Sequence, residues 1–360
     1  MEDPKTSLDI DAETLRKWLD EGRPVTVLDV RPVAQRSEWT IPDSVHADVY
    51  DAIKAGDTEA VRRLKVPEGI PVVAVCGLGR TSRKVADILA QSGIQAFSLS
   101  GGMQAWSLAW NVAKIPLTLP DAELIQVRRV GKGCLSYVLL SQGEAAVIDP
   151  SLDPSVYLAL AEKRGAAIKV ALDTHVHADH FSRSRTLAEK AGISSQDLRE
   201  GESLSLGTIR LQVLETPGHT PESKSYVLNG HAVFTGDTLF LDSVGRPDLI
   251  AGLDPKQQSE LLYESIQRLA GLPGSIWVLP AHVPVAPAFD GKPLAATLGE
   301  LKGRNKYLSA SKEDFMALLS SGGNAPPPNF ETIVAANRSG ILPEGDWAPL
   351  EAGPNRCARA

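Results

Sequence analysis

The sequence has few of the features that mark membrane, secreted or nucleic-acid-binding proteins. It contains no stretch close to the roughly 18 uninterrupted apolar residues of a membrane span, and its first residues lack the basic and apolar regions of a secretory signal. A formal charge of −7 and the lack of Lys/Arg runs argue against non-specific nucleic-acid binding. We therefore expect a cytoplasmic protein that binds neither nucleic acid nor membranes.

Cysteine is also scarce. Cys76, Cys134 and Cys357 lie far apart in the sequence, and an odd number of thiols cannot pair completely. This usage fits a reducing compartment, in which cysteine chemistry is carried by thiols and not by disulfides.

The 360 residues are enough for two domains, and a content of 43% hydrophobic and 22% charged residues is typical of a globular protein. The first third alternates strands with helices, which predicts a parallel sheet with helices on both faces. The middle is rich in strands, in two halves that each close with helices. We predict an α/β domain at 1–112, a linker at 113–120, an αββα sandwich at 121–290, and a helical extension with a flexible tail at 291–360.

The most informative segment is 174–180, which holds three histidines and one aspartate. Such a polar cluster is costly to bury, unless a metal ion offsets the loss of hydration. Three further motifs place potential ligands directly after strands. The seven candidate residues are His175, His177, Asp179, His180, His219, Asp237 and His282. Because a sandwich gathers the ends of its strands at one edge, we expect a metal centre there.

A second candidate site surrounds Cys76, which ends a predicted buried strand and precedes a polar, glycine-containing loop and a helix. Backbone N–H groups of the loop and the positive helix N-terminus would favour the thiolate form. We predict Cys76 as the nucleophile. A small apolar cysteine at a strand end is the alternative. The loop residues expected to contact the sulfur or its substrate are Gly77, Gly79, Arg80, Thr81 and Ser82, with Arg80 adding positive charge.

Residues 120–290 resemble the metallo-β-lactamase superfamily, whose members hold one or two metals with up to seven ligands of these types. The resemblance implies the αββα fold and leaves two branches open. A dinuclear zinc hydrolase of the glyoxalase II type would use all seven residues, with Asp237 bridging the two ions.

Residues 245–248 (Gly-Arg-Pro-Asp) resemble the persulfide dioxygenase branch. That resemblance implies one Fe(II) per chain, held by His175, His219 and Asp237, with open positions that suit a thiol-bound substrate and O₂. The remaining candidates would orient the ligands and exclude a second metal; they are His177, Asp179, His180 and His282. Arg246 and Asp248 would form either a pair close to the iron or an ordinary ion pair of the loop.

Residues 5–112 resemble a rhodanese domain, and the motifs at 28–31 and 39–46, the Cys76 loop and the motif at 101–106 occur in that family's order. The resemblance implies sulfur transfer through Cys76. Many rhodaneses carry arginine five residues after the cysteine, whereas this chain has Thr81 there and an arginine one position earlier.

Together the two resemblances imply a sulfur-oxidising fusion enzyme. It would oxidise glutathione persulfide, or another thiol persulfide, with O₂ to sulfite, and its rhodanese domain would exchange sulfur with thiosulfate or sulfite. The alternatives are the zinc thioester hydrolase with an accessory rhodanese domain, and a non-catalytic sulfur-relay protein. The thiol carrier and the oligomeric state stay open, a homo-oligomer included.

Overall fold

The alternating first third of the chain forms a five-stranded sheet in which all strands run parallel, in the order β1-β5-β4-β2-β3. The computed structural model describes residues 8–194, 196–321 and 325–359. The strands are β1 (Asp9–Ile10), β2 (Thr26–Asp29), β3 (Val45–His46), β4 (Val72–Val75) and β5 (Ala96–Leu99). The helices are α1 (Ala12–Asp20), α2 (Val33–Glu38), α3 (Tyr50–Lys54), α4 (Glu59–Arg62), α5 (Arg80–Gln91) and α6 (Gly102–Trp106).

Both faces of this parallel sheet are covered, which explains why its central strand β4 is a continuous apolar run. All four residues of β4 are buried. Helix α5 buries Val85, Ile88 and Leu89, which recur at helical spacing. The parallel α/β architecture expected from the sequence is confirmed.

The strand-rich part forms two larger sheets, ordered β10-β9-β8-β7-β6 and β11-β12-β13-β14-β16-β17. The strands of the first are β6 (Asn111–Lys114), β7 (Ala122–Arg128), β8 (Leu135–Ser141), β9 (Glu144–Ile148) and β10 (Ala167–Leu172). Those of the second are β11 (Ser203–Leu206), β12 (Ile209–Glu215), β13 (Lys224–Leu228), β14 (Ala232–Gly236), β16 (Trp277–Pro280) and β17 (Ala296–Thr297). A small pair consists of β15 (Val244–Gly245) and β18 (Ala358–Arg359).

Helices cover the outer face of each sheet. The first sheet packs against α7 (Pro154–Glu162) and α8 (Ser184–Ala191). The second packs against α9 (Pro255–Ala270), α10 (Leu298–Arg304), a 3₁₀ turn (Lys306–Leu308) and α11 (Lys312–Ser320). Helices α12 (Phe330–Ser339) and α13 (Ala348–Glu351) follow. Because apolar side chains of both sheets meet in one core, the predicted αββα sandwich is confirmed.

Two predicted boundaries differ from the structure. Strand β6 pairs with β7 of the sandwich, so the proposed end of the first domain at 112 and start of the linker at 113 divide one strand. Residues 358 and 359 form β18, and Cys357 is fully buried. The flexible tail predicted for the chain end is therefore wrong up to residue 359, because hydrogen bonds to β15 hold it against the sandwich.

The two domains are packed against each other. The Trp39 indole donates a hydrogen bond to the Gly131 carbonyl at 2.9 Å, and the Arg129 side chain donates to the Ser107 carbonyl at 2.7 Å. Within the described residues, no helix is both long and apolar enough to cross a membrane.

Candidate metal centre and thiol loop

The predicted ligands converge because the strands that precede them end at one edge of the sandwich. The segments that meet there follow four strands: His175 after β10, His219 after β12, Asp237 after β14 and His282 after β16. All four side chains are almost fully buried.

His175, His219 and Asp237 form a set in which every residue has a polar side-chain atom without a hydrogen-bond partner, and we call it the open set. Each offers one atom, and these atoms lie within 4.8 Å of one another. Both Nε2 atoms lie 3.5 Å from Asp237 Oδ2, and neither they nor Asp237 Oδ1 have a hydrogen-bond partner. His219 Nδ1 lies 2.8 Å from the Arg246 carbonyl, to which it must donate, so its Nε2 lone pair faces the centre. On His175, Nδ1 contacts the Thr174 hydroxyl at 2.9 Å.

The charges of this set suit a metal site. Burial lowers the pKa of His219 to about 4, so its imidazole is neutral. Burial opposes ionisation of Asp237, but His282 and His175 hold the pKa of that carboxyl well below its usual range. Neutral imidazole and ionised carboxylate are the forms that bind cations.

His177 points to a different partner. Its Nε2 lies 3.2 Å from Asp149 Oδ1 and 3.8 Å from Asp173 Oδ1. Burial disfavours the imidazolium, yet Asp149 raises the pKa of His177 to about 9. Asp149 also accepts hydrogen bonds from Thr174. The structure therefore places His177 in a neighbouring ion pair and not with the three open ligand atoms.

The remaining candidates contact Asp237 or one another. His282 Nε2 is 3.1 Å from Asp237 Oδ2. His180 Nδ1 is 2.9 Å from Asp179 Oδ1, and the Cys134 thiol lies 3.2 Å from Asp179 Oδ2. The Cys134 thiol is thus a polar neighbour of the centre.

The Arg246–Asp248 pair predicted from the sequence is present. Two N–H groups of the Arg246 guanidinium donate to the carboxylate at 2.6 and 3.0 Å, and Arg359 of β18 joins at 2.6 Å. The Arg246 backbone carbonyl accepts a hydrogen bond from His219 and orients its ring, so this loop also contacts the centre through its main chain.

Sequence reasoning missed four residues at this site. Asp149 directly follows β9, so the rule that polar residues at strand ends gather at one edge could have found it. The other three come from the C-terminal extension. Asn337 donates to the carbonyls of His177 and His180 at 2.8 and 2.9 Å. Glu351 accepts from the Phe181 N–H at 2.8 Å, and Cys357 lies beside Asp237 and His282.

The Cys76 loop has the geometry expected of an activated thiol. The Cys76 sulfur lies 3.4 Å from the Ser82 hydroxyl. Burial alone would raise the pKa of the Cys76 thiol, but hydrogen bonds from Ser82 and from the N–H groups of Leu78 and Thr81 lower it below its usual value. A Cβ on Gly102 would lie 2.2 Å from the Cys76 carbonyl oxygen, so only glycine permits this close approach.

The surroundings of the loop differ from the expectation for Arg80. Gly79 adopts φ +84° and ends the loop, and Arg80 begins α5 with an exposed side chain. A cavity of about 270 Å³ beside the loop is lined instead by Arg31 and by residues of the C-terminal extension, among others. Arg31 is fixed there by Asp29, at 2.7 Å.

Comparison with known proteins finds the same two parts. The Rhodanese-like domain model matches residues 11–109, and the Metallo-beta-lactamase superfamily model matches residues 129–196. Persulfide dioxygenase ETHE1, mitochondrial, of Bos taurus is 31% identical over 229 residues, which cover 58% of this chain and 86% of the relative. Hydroxyacylglutathione hydrolase of Anaeromyxobacter dehalogenans is 34% identical over 250 residues, covering 64% of this chain and 93% of the relative.

Solved structures agree on the sandwich. The crystal structure of ETHE1 from Myxococcus xanthus is 29% identical with a TM-score of 0.54, covering 60% of this chain and 98% of that chain. A metallo-beta-lactamase from Staphylococcus aureus is 30% identical with a TM-score of 0.56, covering 62% of this chain and 74% of that chain.

Proposed function

The chain belongs to the metallo-β-lactamase superfamily and carries a rhodanese-like domain before that fold, and from this we propose that it is a persulfide dioxygenase with sulfurtransferase activity. It would oxidise a low-molecular-weight thiol persulfide, such as glutathione persulfide, with O₂ to sulfite, using one Fe(II) per chain. The observation that carries the proposal is the open set of His175, His219 and Asp237. Two imidazoles and one carboxylate on one side of an ion are typical of non-haem Fe(II) oxygenases.

The donor atoms fit such an ion because three buried polar atoms lack any other partner: Nε2 of His175, Nε2 of His219 and Oδ1 of Asp237. When bound, Fe(II) supplies the one-electron chemistry that O₂ requires. The protein supplies orientation, since the Arg246 carbonyl fixes the His219 ring. It also excludes water, because the ligand side chains are almost fully buried.

We assign His177 a supporting role outside the three-residue set. Its Nε2 lies 3.2 Å from Asp149 Oδ1, so a carboxylate orients the ring.

A cavity beside His175 offers room for the thiol carrier. Its volume is about 580 Å³, within the range of small-molecule sites. Arg185, Lys224 and Arg338 line it together with Asp173 and other acidic groups. Because both signs of charge are present, the cavity suits a zwitterionic peptide thiol such as glutathione.

Cys76 would exchange sulfane sulfur with the same thiol pool or with thiosulfate. Its lowered pKa favours the thiolate that accepts sulfur. With both activities in one chain, the persulfide is produced close to the site that consumes it. All three cysteines are free, which suits the reducing cytoplasm that we propose as its location.

A zinc thioester hydrolase is the second candidate. The similarity to hydroxyacylglutathione hydrolase favours it, as does the 3.1 Å contact between His282 and Asp237, which would share a second ion. Such an enzyme would turn over S-lactoylglutathione without oxygen.

Metal analysis combined with an oxygen electrode tests the two candidates. Protein purified without added metal should contain about one iron per chain and consume O₂ on addition of glutathione persulfide. Two zinc ions per chain, no oxygen uptake, and anaerobic hydrolysis of S-lactoylglutathione would instead establish the hydrolase.

A further inference from the structure

The cavity beside the Cys76 loop is built from two distant parts of the chain. One side of it belongs to the first domain, and the other is formed by residues 352–354 of the C-terminal extension. The Rhodanese-like domain model ends at residue 109, so this second side is not part of the first domain's own fold. We refer to residues 352–354 as the C-terminal wall of the cavity.

Buried polar contacts hold the C-terminal wall in place. The Lys132 ammonium donates to the carbonyls of Glu351 and Gly353 at 2.8 and 3.3 Å, and the Asn355 side-chain amide donates to the Lys132 carbonyl at 3.4 Å. Lys132 and Asn355 are themselves buried, so water does not compete for these hydrogen bonds. The wall is therefore a fixed part of the cavity.

The opposite side of the cavity is attached to the loop that carries the thiol. The Met103 N–H donates to the Cys76 carbonyl at 2.8 Å, and the Gln104 N–H donates to the Gly77 carbonyl at 3.1 Å. Gly77, Met103 and Gln104 all line the cavity. A molecule bound in the cavity therefore lies next to the Cys76 loop.

The charged side chains of the lining are already paired. Arg31 contacts Asp29 at 2.7 Å, and Glu38 lies 3.8 Å from Arg356 of the C-terminal extension. The cavity thus offers a ligand no uncompensated charge of either sign, and its recognition chemistry must come from neutral groups.

Two neutral amides supply that chemistry. The side chains of Gln35 and Gln104 line the cavity, and neither has a hydrogen-bond partner in the part of the chain that the structure describes. Each amide can both donate and accept, as a peptide group does. The other lining side chains are largely apolar: Trp39, Leu78, Met103, Ala352 and Pro354. Amides on an apolar lining suit a small molecule that contains peptide bonds.

We propose that residues 352–354 complete the binding site for the sulfur acceptor of Cys76, and that this acceptor is a low-molecular-weight peptide thiol. The inference rests on the sulfur transfer through Cys76 proposed above. The acceptor thiolate attacks the terminal sulfur of the Cys76 persulfide, and a new S–S bond forms as the bond to the Cys76 sulfur breaks. The electron pair returns to the Cys76 thiolate and the persulfide proton leaves with the product, so no oxidant is required.

Simple packing between the domains does not explain this arrangement. It would account for the hydrogen bonds of Lys132 and for the contact between Glu38 and Arg356. It does not account for a cavity of about 270 Å³ left between the C-terminal wall and the loop, with unpartnered amide side chains in its lining.

A kinetic comparison of two acceptors tests the role of the wall. Full-length Ala352→Leu and wild type are assayed under nitrogen with thiosulfate as donor and either glutathione or cyanide as acceptor, and sulfite or thiocyanate is measured. Ala352 has φ −63° and ψ 138°, a conformation that leucine adopts. Because leucine fills part of the cavity, we expect the KM for glutathione to rise about 10-fold, with kcat within about twofold.

Transfer to cyanide should stay within about twofold in Ala352→Leu, since cyanide makes no peptide contacts. Ala335→Leu, at an exposed position of α12, is the matched control and should leave both reactions unchanged. An unchanged KM for glutathione in Ala352→Leu, or an equal loss with both acceptors, overturns the proposal.

A binding measurement keeps the test valid if Ala352→Leu folds poorly. S-methylglutathione has no free thiol, and its binding is followed by the rate at which iodoacetamide alkylates Cys76, measured on the Cys76 peptide by mass spectrometry. We expect it to slow alkylation in wild type, and the half-protecting concentration to be several-fold higher in Pro354→Ala, which removes part of the wall. S-methylcysteine, which lacks peptide bonds, should protect far less. Absence of protection in wild type, or equal protection in Pro354→Ala, contradicts the assignment.

The inference and the proposed function fail separately. Protection of Cys76 by S-methylglutathione in a protein that transfers no sulfur from thiosulfate refutes only the sulfurtransferase activity. Sulfur transfer that neither Ala352→Leu nor Pro354→Ala alters refutes only the acceptor site. Oxygen uptake with glutathione persulfide tests the dioxygenase independently of both.

Discussion

The two candidate sites differ in how many parts of the chain are needed to build them. The activation of the Cys76 thiol is local, because the groups that lower its pKa all belong to the next six residues. The metal centre collects side chains from after four strands and from Cys357, which lies 177 residues after the last histidine of the histidine-rich loop.

This difference determines how each site responds to change. A local loop is held by its own backbone hydrogen bonds, so single substitutions there should act on chemistry and leave the fold intact. An assembled centre depends on long-range contacts, and some of its residues also keep residues 351–359 in place. Substitutions in the two sites should therefore have separable effects on the two activities and on stability.

The largest expected effect tests this separation from the thiol side. We expect Cys76→Ser to abolish sulfur transfer from thiosulfate to cyanide, because a serine hydroxyl is a far weaker nucleophile than a thiolate. Oxygen uptake with preformed glutathione persulfide should stay within about twofold of wild type, since Cys76 lies outside the centre. A parallel collapse of both activities would contradict two independent sites.

The same separation can be tested from the metal side. Asp237→Ala removes the carboxylate of the set of His175, His219 and Asp237, and oxygen uptake should fall by more than about 100-fold, since even outer groups cost about 10–100-fold. Iron content, measured on the same samples, should fall as well, while thiosulfate:cyanide sulfur transfer is retained. Asp242→Asn is the control, since that carboxylate is exposed and pairs with Arg304.

The contrast between a local and an assembled site also explains what could be predicted from the sequence. The Cys76 loop and the four ligand motifs are short and follow strands. Strand order alone therefore predicts where the loop lies in its domain and brings the ligand motifs to one edge of the sandwich. Nothing in the sequence around Glu351 or Cys357 indicates that these residues return to the centre, because their partners are 75 or more residues away. Long-range pairing also explains why the residues predicted as a flexible tail form strand β18, which pairs with β15.

The next prediction concerns the stability of the assembled region. Glu351 is buried, with carboxylate oxygens 2.8 Å from an Arg129 nitrogen and 2.7 Å from an Arg183 nitrogen. Glu351→Gln leaves both guanidinium groups without a counter-charge, and we expect a loss of about 3 kcal/mol in the free energy of unfolding. Urea denaturation of the metal-free protein at neutral pH measures it. Glu313→Gln, at an exposed position of α11, should change it by less than about 0.5 kcal/mol.

The contribution of the Glu351 ion pairs to the free energy of unfolding should depend on pH. Burial disfavours the Glu351 carboxylate, but Arg129 and Arg183 lower its folded-state pKa from 4.5 to about 2. The contribution is therefore fully present above pH 4.5 and is lost as the pH falls from there through about 2. The difference in stability between wild type and Glu351→Gln should shrink over that interval. A difference that stays constant on acidification would contradict an ion-pair origin.

The smallest expected effect concerns the pKa of Cys76. The Ser82 hydroxyl contributes to lowering the pKa of Cys76, so Ser82→Ala should raise that pKa and move the alkylation profile of Cys76 to higher pH. At neutral pH we expect the iodoacetamide rate, followed on the Cys76 peptide by mass spectrometry, to fall several-fold. Thr81→Val is the control, because Thr81 acts on the sulfur through its backbone N–H, which valine retains. If both variants shift the profile equally, the loop activates Cys76 through its overall shape and not through the Ser82 hydroxyl.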